Sequence, residues 1–239
     1  MIPARVAPLA KQSIVRLTPL RKLAQKLRQC SSGVAMIEFA FTAPILLTMG
    51  LVGSETAYFA ITHMRISQVA MQVADNASRV GELDMLVARR VFERDINEVL
   101  VGAEKYGESF GIYQNGRVIV SSLQRNADGG QTIRWQRCRG AKVHNSSFGV
   151  EGVGATGTSF QGMGPTGRQI QASSGTAVMF VEVAYDYRPL TPFSAFGNRV
   201  ITYTAAFNIR DQRDLTQIYN TTPAGPVARC NIYSAARPV

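Results

Sequence analysis

The stretch Gly33-Val34-Ala35-Met36-Ile37-Glu38-Phe39-Ala40-Phe41-Thr42-Ala43-Pro44-Ile45-Leu46-Leu47-Thr48-Met49-Gly50-Leu51-Val52-Gly53 decides how the rest of the chain is read. Sixteen residues without a charge separate Glu38 from Glu55. With Val34 to Ile37 added, the apolar reach approaches the ~20 residues a helix needs to cross a bilayer. On its N-terminal side, residues 1–33 hold seven basic groups (Arg5, Lys11, Arg16, Arg21, Lys22, Lys26, Arg28) and no acid. That asymmetry keeps the leading end in the cytoplasm and exports the chain beyond Gly53. Membrane lipid is the first expected partner.

The same count disposes of another reading. The 239-residue chain carries 26 Lys and Arg against 16 Asp and Glu, a net charge of +10, which looks like a nucleic-acid footprint. Outside the leader the balance is 19 basic to 16 acidic, so the field does not sit on the folded part and no nucleic-acid partner is expected. Three cysteines are too few for a disulfide scaffold, and two histidines, His63 and His144, leave little for a zinc site. A charged fraction of 18% and 46% apolar residues set the chain apart from disordered ones.

An ordinary secretory signal has such charges, but its apolar part is shorter and ends at a small-residue cleavage site. A transit peptide is not followed at once by a spanning run. An uncleaved anchor fits the charge and length but gives no reason for a carboxylate at position 38, where apolar surroundings make it costly. Cleavage after Gly33 does. Val34 then becomes the N-terminus, and Glu38 lies one helical turn from the freed amino group, at the positive end of the helix dipole.

A basic leader, Gly33, four residues, Glu38, an aromatic at Phe39 and a long apolar helix resemble the prepilin pattern of type IV pilins and pseudopilins. Glu38-Phe39-Ala40, then Pro44 and Leu46-Leu47, resemble the TadE-like pseudopilins of the tight-adherence (Flp) pilus system. The resemblance covers roughly residues 29–80, and the long exported part is similar to the larger, TadG-like kind. It implies cleavage between Gly33 and Val34 by a prepilin peptidase and a bacterial inner-membrane location with the C-terminal domain periplasmic. It also implies a structural role among other pilus and pseudopilin subunits and the inner-membrane assembly platform, with Glu38 and Phe39 serving assembly. Pro44 removes one helical hydrogen bond and kinks the segment, which membrane helices tolerate.

After Glu55 the pattern turns amphipathic. Phe59, Ile66, Val73 and Val80 recur every seven residues, with Val69, Ala70 and Ala77 in the same stripe. The stripe packs against the exported domain, or forms a seam between subunits. Asp84 can cap a second helix running to about Tyr106, with Leu86 in its apolar face. Asn115-Gly116 predicts a hairpin between 110–113 and 117–123, and 131–137 reads as a strand. Residues 149–175, with eight glycines, read as a long mobile loop. Residues 176–187 and 199–210 are the clearest strands, an antiparallel pair. In the second, Ile201, Tyr203, Ala205, Phe207 and Ile209 alternate with polar or small residues. The expected fold is α+β, divided into a leader (1–33), a transmembrane and amphipathic helix (34–81) and an exported domain (82–239).

Cys138 and Cys230 both fall on the exported, oxidising side. A bond between them adds up to roughly 4–5 kcal/mol; the other reading is two buried thiols. Cys30 leaves with the leader. Gly152–Gly157 and Gly162–Gly167 fit a dinucleotide fingerprint by letter, but neither follows a strand and opens a helix, so no cofactor is expected. Glu182 and Asp186 share a strand face about 13 Å apart at ~3.3 Å per residue, beyond the ~5–9.5 Å of glycosidase pairs. Nothing marks a base beside His63 or His144, and neither catalysis nor a metal is expected. The alternative function is an uncleaved single-pass protein whose periplasmic domain binds a ligand or the cell wall.

Overall fold

A computed structural model describes residues 18–29, 32–84, 87–192, 194, 196–221 and 224–238. Arg5, Lys11, Arg16, Cys30 and Leu86 lie outside these residues. The chain divides into two units, 1–52 and 53–239, and is α+β. The first unit holds helix α1 (Thr18–Gln29) and the beginning of helix α2 (Ser32–Arg79). From Gly33 to Val52 every side chain is exposed except half-buried Ala43. An apolar surface on all sides with no protein against it is what lipid solvates and water does not.

In the second unit, residues 53–79 of α2 bury one stripe. Ile66, Val69, Ala70, Val73, Ala74 and Ala77 are each 2% exposed or less. They pack with α3 (Glu93–Gly107) onto a four-stranded antiparallel sheet. The sheet comprises β3 (Gly116–Arg125), β4 (Gln131–Arg139), β5 (Ala177–Asp186) and β6 (Val200–Asn208), in the order β4-β3-β5-β6. Val118, Val120, Met179, Val181, Val183 and Ile201 face the helices. The heptad stripe is therefore core packing. The final strand pair is antiparallel as expected, with Val183 opposite Tyr203.

Three local expectations give way to tertiary contacts. β1 (Glu82–Asp84) and β2 (Val87–Arg90) pair as antiparallel strands, and the second helix starts only at Glu93. The C-terminal segment takes the backbone there: Arg89 N–H donates to Gln212 O, and Glu93 N–H to Tyr219 O. Asp95, not Asp84, supports the helix start, accepting the Phe92 N–H at 2.9 Å.

Asn115-Gly116 is not a hairpin turn. Residues 108–110 form a 3₁₀ turn and 112–115 a short helix, α4 (Ile112–Asn115). Burial of Phe110, Ile112 and Tyr113 draws this segment inward, and the Tyr113 hydroxyl donates to Leu100 O at 2.6 Å. The hairpin that does form joins β3 to β4 across residues 126–130, where Gly130 N–H donates to the Asn126 side chain at 2.8 Å. Arg134 is an extra residue opposite β3, a bulge that sends Trp135 to the helix side and Ile133 to the other.

Residues 149–175 form no helix or strand, as expected of a loop, but a few of their side chains anchor the segment to the sheet. Leu123, Ile133, Val178 and Phe180 on the sheet's far face are covered by Met163 and Ala172, with Phe148, Val153 and Phe160 around them. Gly154 (φ +72°) and Gly162 (φ +113°) occupy the left-handed region, and a Cβ on either would stand 2.2 Å from a carbonyl oxygen. At these two positions glycine lets the backbone approach a carbonyl where a side chain would not fit.

Ala74 is fully buried between helix and sheet. Ala74→Leu is expected to destabilise the domain by about 1–3 kcal/mol through overpacking, read by denaturant unfolding of the detergent-solubilised protein through Trp135 fluorescence.

Candidate functional site

Three places on the chain carry groups beyond those needed for packing. The first is the segment that contains Gly33, Val34, Glu38, Phe39 and Pro44. All five sit on α2 and are exposed; Val34 and Glu38 are one turn apart on the same face. Pro44 lies inside the helix and deprives the Ala40 carbonyl of its usual N–H. Thr42 donates to Glu38 O at 2.9 Å and Thr48 to Pro44 O at 2.7 Å, so short hydroxyls serve backbone carbonyls on both sides of the proline. By length and composition, α2 is able to span a membrane.

The second place is Glu55, the first acid after the apolar run. Its side chain is buried, unlike that of Glu38. One carboxylate oxygen accepts the Tyr187 hydroxyl at 2.7 Å. The other accepts the N–H groups of Leu190 at 3.0 Å and Thr191 at 3.1 Å. The β5–β6 connection is thereby held against α2. Phe59 backs this contact, 4.9 Å from the Tyr187 ring and stacked on Phe196 at 4.7 Å. His63 closes the cluster, with Nδ1 3.2 Å from the Tyr203 hydroxyl. In the sequence Glu55 marks only the end of an uncharged run. The available signal was its position, where an all-round apolar helix becomes amphipathic.

The third place lies on the far side of the sheet. Cys138 and Cys230 are bonded, closing a 92-residue separation, and they border a cleft of about 590 Å³ that also contains Arg117, Arg137, His144 and Tyr233. Trp135 is buried in the helix-side core. Glu182 and Asp186 are both on β5 but do different things. Glu182 is buried and accepts the Ser146 hydroxyl and the Ser147 N–H (2.9 Å). Asp186 is exposed and pairs with Lys142 at 2.5 Å. Among the described residues, no group of three His, Cys, Asp or Glu side chains is placed to hold a metal ion.

The chain matches no family model, no curated protein and no solved structure. The residues themselves therefore carry the functional argument.

Burial pushes the Glu182 carboxyl above the ordinary glutamate range, and the hydrogen bonds from Ser146 and Ser147 offset this only in part. Between the ordinary and the raised value the native state keeps a proton that the unfolded chain has released. Stability therefore falls as pH rises through that window. Glu182→Gln is expected to flatten this decline, gaining on the wild type above the window and matching it at lower pH, measured as unfolding midpoints against pH. For Glu55, the expected order of unfolding midpoints is wild type, then Glu55→Gln, then Glu55→Ala. The alanine leaves the Tyr187 hydroxyl and two N–H groups without their acceptor.

Proposed function

We propose that the chain is a membrane-anchored subunit of the pseudopilin kind, processed after Gly33 and acting as a structural or assembly component of tight-adherence (Flp) pili. The observation that carries this reading is the segment Gly33–Val52. It is apolar on every side, none of its side chains is buried by protein, and its one carboxylate is the fifth residue after Gly33. An acid at that position is costly beside lipid unless a positive terminus lies within a turn. Cleavage before Val34 supplies that terminus, either on the same chain or, within an assembly, on a neighbour. In this reading the seven basic groups of residues 1–33 hold the leader in the cytoplasm, the helix stays in the inner membrane and the sheet domain is periplasmic. A prepilin peptidase and other pilus subunits are the partners, and the chain performs no catalysis of its own.

The rival is an uncleaved anchor presenting a ligand-binding domain, and the cleft beside Cys138 and Cys230 favours it. The two part at the N-terminus. Mass spectrometry of the chain recovered from membranes is expected to start at Val34, and Gly33→Val to leave a precursor heavier by the whole leader. An intact leader on the wild-type chain overturns the proposal. Glu38→Ala is expected to insert normally and to abolish piliation; normal piliation would remove the role assigned to that carboxylate.

A further inference from the structure

Helix α1 has a face that no described residue covers. Residues 21–29 are all exposed, and Leu23 and Leu27 keep 58% and 70% of their surface open. Four apart in a helix, the two leucines share one face, and Ala24 lies on it too. At about 100° per residue, Arg21 and Arg28 flank that face on the Ala24 side, and Lys22 and Lys26 flank it on the Leu23 side. Gln25 and Gln29 stand opposite the leucines.

A helix of 12 residues with an uncovered apolar face is marginal in water. Residues 1–33 contain no acid, so the leader has no carboxylate of its own to neutralise its cations. An apolar stripe between two rows of Lys and Arg matches the boundary between acyl chains and anionic headgroups. There the long basic side chains reach the phosphates while the stripe sits deeper. A nucleic acid would take up the charges but leave the leucines in water. A second copy of α1 would cover the leucines but bring like charges together.

The place of α1 in the chain supplies such a surface. It ends at Gln29, and α2 begins at Ser32. Three residues of chain reach ~11 Å at most, so wherever α2 enters lipid, α1 is held close to the headgroup layer. We propose that α1 lies in the cytoplasmic surface of an anionic phospholipid bilayer, with Leu23, Ala24 and Leu27 toward the acyl chains and Arg21, Lys22, Lys26 and Arg28 on headgroup phosphates. This contact fixes the depth of Gly33 and Val34 at the bilayer surface. The proposal rests on the reading that α2 spans the membrane, and on neither the cleavage nor the pilus role assigned above.

The test uses the full chain carrying Gly33→Val, which keeps the leader attached, and Cys30→Ser; Cys138 and Cys230 are bonded and take no thiol label. A nitrobenzoxadiazole fluorophore is placed on Leu23→Cys, on Gln25→Cys or, as a marker of α2, on Leu47→Cys. The protein is reconstituted in vesicles of phosphatidylcholine, or of equimolar phosphatidylcholine and phosphatidylglycerol, each with a lipid that carries a nitroxide quencher on its acyl chain. In the anionic vesicles position 23 is expected to be quenched at least threefold more than position 25. That ratio is expected to fall at least twofold in phosphatidylcholine alone, and to approach one when Lys22→Glu and Lys26→Glu are introduced together. Equal quenching at 23 and 25, the same ratio in neutral and anionic vesicles, or an unchanged ratio in the charge-reversed chain each overturns the proposal, while quenching at 47 still places α2 in the bilayer. Absence of quenching at 47 overturns the spanning reading of α2 and this proposal with it.

Discussion

A four-stranded sheet with apolar side chains on both faces has to be covered twice, and the cover on one face is the second half of α2. Ala70, Ala74 and Ala77 let the helix backbone approach, while Ile66, Val69 and Val73 fill the space between helix and strands. Dispersion and water exclusion at this contact are not directional, but the small side chains make it specific, because larger ones would hold the helix away. Val118, Val120, Met179, Val181 and Val183 depend on it for burial. α3 completes the layer with Ile96, Val99 and Leu100.

The remainder of the domain is organised by arginines that donate to main-chain carbonyls. The described residues of 209–238 form no helix or strand, so their backbone groups need partners from elsewhere. Arg139 reaches Ala235 O and Ala236 O, Arg134 reaches Thr216 O, and Arg117 reaches Cys230 O and Ile232 O. Arg213 works in the other direction, donating to Ala77 O and Ser78 O in the last turn of α2. Burial, with the charge of Arg89 adding to it, pushes Arg213 down to about 10. Much of the basic excess of the domain is thus used inside the fold. That is the structural counterpart of the small charge balance outside the leader.

Glu38 and Glu55 bound the uncharged run, and chemistry separates them. Glu55 has the Tyr187 hydroxyl and two N–H donors and is a structural latch. Glu38 is exposed on a segment whose neighbours are all apolar or small. A carboxylate with no protein donor among the described residues, beside a lipid-suited surface, is the feature on which the proposed processing rests.

Much of the architecture was legible because it arises from periodicity along the chain. The charge asymmetry, the apolar run, the seven-residue stripe from Phe59 to Val80 and the alternation from Ile201 to Ile209 each express one side chain after another facing the same medium. Those patterns determined the long helix, its buried face and the final strand pair. Other features were settled only in three dimensions. Residues 149–175 read as loose because glycine frees the backbone, yet Gly154 and Gly162 serve close approach to carbonyls that the sequence does not place beside them. Asn115-Gly116 favours a turn locally, but burial of Ile112 and Tyr113 in the core outweighs a two-residue preference. The second helix begins at Glu93 because a segment more than a hundred residues away claims the N–H groups before it. The cleft beside Cys138 and Cys230 is likewise a product of chain crossing, since Arg117 and Tyr233 meet only after the tail folds back. Propensity and pattern act over a few residues, whereas burial and hydrogen-bond satisfaction are decided by whichever distant segment arrives.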